Sequence, residues 1–481
     1  MRSFIRPVFK LAFDSGAARW GIFVALMAAA PLGLGMVSCS QHASGDVPKP
    51  LAICFTCDTD GRIEPCGCFT GQHGGLARWD ALQKSQFGDA LLVDIGNAIE
   101  GPADYQVIKY QYIQRIYAGM SYAALNLGER EAMLPADQLR KLRDSSPVPM
   151  LCANLTDTQT GGTLFPAYKI VDHDGLKVAL VGVLEPPVDK DSLGAGLAVE
   201  PMDTAIARVL PEIRGKADVT VLLAFADEEA MKQLAHEFYE FDIILGGRVR
   251  EPAQTLMKEN RSLIYYTTNE SKAVGMLNVK WSRNKELEVS NSDIIFLDQS
   301  LPMDAGTLAQ SQAYRDEIRH TKLDVDDPGF HDASVVPGVV PSATYVGSET
   351  CATCHGGAYK TWQASPHAHA FAALTAKGAD ADPNCIGCHT VGFGMPSGYR
   401  REYGAAKLTD VGCETCHGPG SEHVRQRQAG GKVLFTYRPI GAETCAACHY
   451  GEFSKPFQWA TFWPVISHGK EGAAGSALLL P

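Results

Sequence analysis

Cys351-Ala352-Thr353-Cys354-His355 opens a pattern that returns as Cys385-Ile386-Gly387-Cys388-His389, Cys413-Glu414-Thr415-Cys416-His417 and Cys445-Ala446-Ala447-Cys448-His449. Two thiols at this spacing can each add to one vinyl group of the same porphyrin, and the histidine that follows is then held beneath the iron as its proximal ligand. Structural zinc also uses paired Cys-x-x-Cys units, but a zinc ribbon needs no histidine directly after every second cysteine. The repeats therefore predict four covalent haem c groups, attached through Cys351, Cys354, Cys385, Cys388, Cys413, Cys416, Cys445 and Cys448 and ligated by His355, His389, His417 and His449. The region around them, 346–470, is expected to be mostly α-helical and loop-rich, with 471–481 as a tail.

Residues 340–481 contain four further histidines, His367, His369, His423 and His468, and a single methionine, Met395. Four irons with two axial imidazoles each would use all eight histidines, and at most one iron could take methionine instead. Irons closed on both sides by protein point to electron transfer rather than catalysis. Ser365 reads as an N-cap, Pro366 as the first helical residue and Ala368–Lys377 as helix. On that helix His367 and His369 would point roughly 200° apart and serve different haems, or one would be a ligand and the other a surface residue.

The fourteen cysteines are unevenly spread: Cys39, five from Cys54 to Cys152, and eight from Cys351 to Cys448. Arg2, Arg6, Lys10 and Arg19 precede the uncharged run Trp20–Ser38, so residues 1–39 read as an export signal. Met36-Val37-Ser38-Cys39 resembles a bacterial lipobox, which implies lipidation at Cys39; a cleaved soluble protein or a retained anchor are the alternatives. Residues 40–50 would be a tether, and the remainder an extracytoplasmic, periplasmic, membrane-anchored protein, in the compartment where haem c is assembled. The net charge is −11, and no basic patch argues for nucleic acid.

Between 51 and 300 the texture is that of an α/β layered sandwich. Apolar runs at 51–55, 90–95, 149–152, 178–183, 219–224 and 241–245 predict strands, and 106–117, 202–210 and 227–239 carry apolar residues at helical spacing. His173-Asp174-Gly175 marks a hairpin. Residues 301–345 read as a linker with one helix, 305–322.

Thr56-Cys57-Asp58-Thr59-Asp60-Gly61-Arg62, Gly74-Gly75-Leu76-Ala77-Arg78, Leu91 to Gly96, Leu127-Gly128-Glu129-Arg130-Glu131 and Leu245-Gly246-Gly247-Arg248 together resemble the metallophosphoesterase domain of bacterial 5′-nucleotidases. The resemblance implies a two-metal site at the strand ends, but here most of its ligands are replaced. Asp58 remains. Asp60 stands for the first histidine, Asn97 for the bridging aspartate, Glu129-Arg130 for an asparagine-histidine pair, Phe225 for a strand-end histidine, and Arg248 and Arg250 for two more. Arginine has no lone pair for a cation, so a catalytically dead scaffold is expected. Beside it, Cys54, Cys57, Cys66 and Cys68, with His73 close behind, could form disulfides, a thiolate site, or reduced inert thiols. Cys152 reads as a buried small hydrophobe.

Tyr345-Val346-Gly347-Ser348, Trp362, Ser365 to His369 and Cys413 to His423 resemble the tetrahaem cytochrome c family that accepts electrons from hydroxylamine oxidoreductase. That resemblance implies closely packed haems, with distal ligands drawn from His367, His369, His423 and His468. Some relatives leave one haem five-coordinate. The expected function is electron transfer with redox proteins, either quinol-oxidising donors or other cytochromes, with the sandwich as a docking or spacing module. The rivals are an oxidoreductase with an open haem acting on a small nitrogen or sulfur compound, a metal-dependent 5′-nucleotidase-like hydrolase, and a ligand sensor read out through the haems.

Overall fold

The computed structural model describes residues 48–65, 73–268, 270–282, 287–323, 342–401, 406–430, 440–450 and 454–469. The expected signal with Cys39, the loop cysteines Cys66 and Cys68, and the tail lie outside the described residues. The first strand shows how the sandwich is built. In β1 (Lys49–Thr56) successive side chains alternate between faces. Leu51, Ile53 and Phe55 enter the core between two sheets, where the Phe55 ring meets Tyr265 edge-on at 5.9 Å. Thr56 points the other way and donates to Asp94 at 2.6 Å, a carboxylate that also accepts from Tyr117 at 3.0 Å.

Chain order then runs α1 (Leu76–Gln86), β2 (Leu91–Asp94), α2 (Asp104–Gly119), β3 (Ala124–Asn126), α3 (Ala136–Ser145), β4 (Met150–Leu151), β5 (Leu155–Asp157), β6 (Tyr168–His173) and β7 (Leu176–Leu184). After these come β8 (Leu197–Val199), α4 (Met202–Ile213), β9 (Val219–Phe225), α5 (Glu228–Glu237), β10 (Ile243–Gly247), β11 (Met257–Glu259), β12 (Ser262–Tyr266), β13 (Ala273–Trp281) and β14 (Leu287–Phe296). One sheet has the order β14-β13-β1-β2-β3-β4, the other β11-β12-β10-β9-β7-β6, and β5 pairs with β8. The inner strands of each are parallel, so their carboxyl ends converge on one edge.

Register decides which core each side chain joins. Val219, Val221, Leu223 and Phe225 of β9 face the inter-sheet core, while Leu222 and Ala224 pack with Ile206, Val209 and Met231 of α4 and α5. Each buried Val, Leu or Phe stabilises by roughly 1.5–3 kcal/mol, and a one-residue slip would exchange the two sets. β6 and β7 form the expected hairpin: His173 pairs with Leu176, and Asp174 and Gly175 hold φ of 50° and 74°, as a two-residue primed turn requires.

The helical run after residue 301 is α6 (Ala305–His320). Asp304 caps it by accepting from Thr307 N at 2.9 Å, and Thr307, Ser311, Tyr314 and Ile318 are buried. Its polar residues match polar residues of the sandwich: Thr307 donates to Asp80 at 2.6 Å and Tyr112 donates to Glu317 at 2.7 Å. This polar helix is thus packed along α1 and α2.

The C-terminal region is a chain of short helices: α7 (Ser348–Ala352), α8 (Gly356–Gln363), α9 (Ala370–Thr375), α10 (Pro383–His389), α11 (Cys413–His417), α12 (Ser421–Gln428), α13 (Ala442–Ala446) and α14 (Trp459–Ile466). Its polypeptide core is small, centred on Tyr345, Leu374, Ile386, Val391, Tyr399 and Leu408. α8, α12, α13 and α14 bury no side chain fully against polypeptide, although α14 reads Trp-Ala-Thr-Phe-Trp-Pro-Val-Ile. Among the described residues no helix is long and apolar enough to cross a membrane.

Candidate functional sites

The four motifs sit on α7, α10, α11 and α13 or just after them, so each pair of cysteines lies within about one helical turn. Three motif histidines each face one non-motif histidine. The ring centroids of His355 and His423 are 6.1 Å apart, those of His449 and His367 6.0 Å, and those of His417 and His468 6.0 Å. Two metal–nitrogen bonds of about 2 Å, with roughly 1 Å from each nitrogen to its ring centre, span about 6 Å, so an iron fits between each pair.

Hydrogen bonding aims these rings. His389 Nδ1 donates to Ala370 O at 2.7 Å, His468 Nδ1 to Ile466 O at 3.0 Å, and His449 Nδ1 lies 3.1 Å from Ser454 Oγ, which leaves Nε2 of each for a metal. Burial lowers the pKa of His367, His417, His423 and His449; His449 and His389 add to it for His367, His468 and His355 for His417, and His355 and Arg427 for His423. Neutral imidazoles carry the lone pair that ligation requires.

The remaining two histidines are not brought together. Among the described residues no imidazole faces His389, and His369 is exposed with no ring against it. The local helix also differs from expectation. Pro366–His369 is a 3₁₀ turn, and the Ser365 hydroxyl donates to Trp362 O at 2.6 Å instead of capping. Asp410 supplies a carboxylate to Phe371 N at 2.8 Å, so the α-helix starts only at Ala370. Met395 packs with Cys385 against the small core.

Motifs are also adjacent across the fold. The thiols of Cys351 and Cys413 are electrostatic neighbours, as are those of Cys388 and Cys448. As a free thiol Cys413 is pushed down to about 6 by the neighbouring Cys351 thiol, which is pushed up. Glu414, inside the third motif and 3% exposed, accepts from Gly347 N and Gly420 N, each at 2.7 Å, and from Val346 N at 3.0 Å. It ties the entry to α7 to the exit from α11. Sequence reading missed this role, because nothing in a Cys-x-x-Cys spacer marks its own hydrogen-bond partners.

At the sandwich's strand ends Asp58, Asp60, Asn97 and Arg248 hold φ of 51°, 50°, 56° and 60°, a cluster of left-handed residues of the kind found at functional sites. Their side chains are engaged with one another. Asp58 accepts from Asn97 Nδ2 at 3.0 Å and from Thr268 at 2.6 Å; Arg130 pairs with Asp60; Arg248 pairs with Glu185 at 2.7 Å and reaches Glu129 at 3.6 Å. Burial pushes the Asp58 carboxyl up, against those hydrogen bonds and Arg130. Phe225 is 1% exposed, and Arg250 lies at the surface. These residues do not fit a pair of divalent cations, since the carboxylate oxygens are committed to donors and two guanidinium groups add fixed positive charge.

Cys54 and Cys57 are buried and not bonded to each other, and Cys152 is buried and donates weakly to Asn154 at 3.5 Å. Burial raises Cys54 to about 12 and Cys152 to about 11, and Cys57 well above its ordinary value, so these thiols are poor nucleophiles. His73 is exposed.

Residues 350–418 match the family model described as cytochrome c554 and c-prime. The chain is 33% identical over 149 residues to cytochrome c-554 of Nitrosomonas europaea, covering 24% of this chain and 63% of that protein. It is 27% identical over 252 residues to a 5′-nucleotidase of Vibrio cholerae, covering 46% of this chain and 44% of that protein. The solved 5′-nucleotidase precursor of Thermus thermophilus superposes with a TM-score of 0.49 at 20% identity, over 56% of this chain and 59% of that one. The chain thus spans about two fifths of the nucleotidase and under two thirds of the cytochrome. It joins an N-terminal region resembling the metallophosphoesterase domain of 5′-nucleotidases, with most of that domain's metal ligands replaced, to a C-terminal region resembling the cytochrome c554 family, whose members carry covalent haem c.

Proposed function

We propose that this chain is an exported tetrahaem c-type cytochrome that passes electrons between redox proteins outside the cytoplasm. Residues 346–470 would hold the haems, and the sandwich, 51–300, would be a catalytically dead phosphoesterase-like module. The observation that carries the reading is the set of three facing imidazole pairs at 6.0–6.1 Å, each joining a motif histidine to one outside the motifs. Haem c supplies reversible one-electron exchange at iron when bound. The chain would tether it through paired thioethers and would close three irons with His423, His367 and His468, while Ala370 and Ser454 orient His389 and His449. Lipidation at Cys39 would hold the protein at a periplasmic membrane face; its partners would be quinol-oxidising donors or other cytochromes. Intact mass after export in a host with full haem c assembly should show four haems, and a smaller number overturns the reading.

One observation favours a second reading. His389 has no facing imidazole among the described residues, which supports an oxidoreductase with an open iron acting on a small nitrogen or sulfur compound. Turnover of such a compound, lost when carbon monoxide is bound, would favour this reading over the carrier.

A further inference from the structure

The second motif is anchored by the sandwich. Asn384, the residue before Cys385, donates through Nδ2 to both carboxylate oxygens of Glu100, at 2.7 and 2.6 Å, and accepts from the Tyr105 hydroxyl at 2.7 Å. Lys109, on α2 and 7% exposed, donates to Glu100 at 3.1 Å and stands 5.3 Å from the centre of the Tyr314 ring. Tyr314 is 2% exposed, and its hydroxyl has no hydrogen-bond partner among the described residues. Asp382, 7% exposed, caps α10 through Asn384 N at 3.1 Å. One ammonium and two carboxylates are therefore fixed at the start of the helix that carries Cys385, Cys388 and His389. Lys109 and Asp382 are buried and the Glu100 side chain is 22% exposed, so their fields are only partly screened.

Oxidation of a haem iron adds one positive charge. A fixed carboxylate nearby stabilises the oxidised state and lowers the reduction potential, whereas an ammonium does the reverse. We propose that Glu100 and Lys109 tune, in opposite directions, the potential of the haem attached at Cys385 and Cys388, so that the sandwich acts on that haem by charge as well as by position. This rests on the haem reading above. Glu100 has a further contact that fits such a role: its backbone carbonyl accepts from Arg130 of the strand-end cluster at 3.1 Å, so that cluster and the second motif share one residue.

The test is a spectroelectrochemical titration of the full-length haem-loaded protein, with Glu100→Gln, Lys109→Met and the double variant. Gln keeps an acceptor for the Asn384 amide, so Glu100→Gln separates charge from positioning. One haem component should move to higher potential in Glu100→Gln, to lower potential in Lys109→Met, and return towards the wild-type value in the double variant, with the other components unmoved. Should Lys109→Met fail to accumulate, Lys109→Gln removes the same charge with a polar side chain. A component that stays in place in both single variants, or moves the same way in both, overturns the proposal and leaves a purely structural junction. A wild-type protein whose mass is short of four haems overturns the haem reading itself, and the proposal with it.

Discussion

His423, His367 and His468 each stand about one iron's width from a motif histidine, and His369 does not. Replacing any of the three by Ala should leave the thioether bonds intact and open one coordination position. One haem would then become high-spin in electron paramagnetic resonance, bind carbon monoxide when reduced, and titrate at higher potential, because a donor imidazole is lost. His369→Ala should leave both spectrum and titration unchanged. Carbon monoxide binding to the reduced wild-type protein decides the fourth iron: about one per chain favours the open-iron reading, and none favours the carrier. A wild type that binds none would show that His389 has a second ligand after all, and His369→Ala would then be the variant to open it.

At the scale of elements, α7 and α11 are joined by one carboxylate. Glu414→Ala would leave Val346 N, Gly347 N and Gly420 N without their acceptor in a buried setting, at a cost of about 1–3 kcal/mol for each buried donor left unsatisfied. Glu414→Gln keeps one acceptor oxygen and should lie between Ala and wild type. Denaturant unfolding of the haem-loaded protein, followed at the haem absorption, gives the order directly; Ala and Gln variants indistinguishable from wild type would remove the staple. This is the kind of element that sequence does not disclose. The strands of the parallel sheets are legible because they are buried on both faces and read as apolar runs, and the β6–β7 turn because Asp174-Gly175 suits positive φ. β14 is harder to read because its first seven residues are mostly polar and exposed, and only Ile294-Ile295-Phe296 at its end are apolar. The start of α9 is misread for a different reason: Asp410, forty residues on, supplies the hydrogen bond a local rule assigns to Ser365. The Cys-x-x-Cys-His units can be picked out directly because haem attachment would fix their spacing, whereas the facing of His367 and His449 depends on how the whole region folds back.

For the whole molecule, the sandwich and the cytochrome-like region meet through α6 and the second motif. Arg401 donates to Ile318 O at 2.6 Å and to Thr321 O at 2.8 Å, and Arg319 pairs with Asp380 at 2.9 Å. The strand-end residues that would have held catalytic cations are spent on one another, so full-length protein supplied with Mn²⁺, Zn²⁺ or Mg²⁺ should not hydrolyse nucleotides or simple phosphate esters above the rate of the metal alone. Metal-dependent phosphate release that Asp58→Ala abolishes would reverse that reading.

The proximity of Cys351 to Cys413 and of Cys388 to Cys448 bears on biogenesis. In a chain that collapsed before receiving its cofactors, thiols of different motifs would meet in a compartment that oxidises them, and a bridge between motifs would compete with the thioether bonds within each. Haem attachment, on the reading proposed above, would then have to run ahead of compaction, while the segment is still extended.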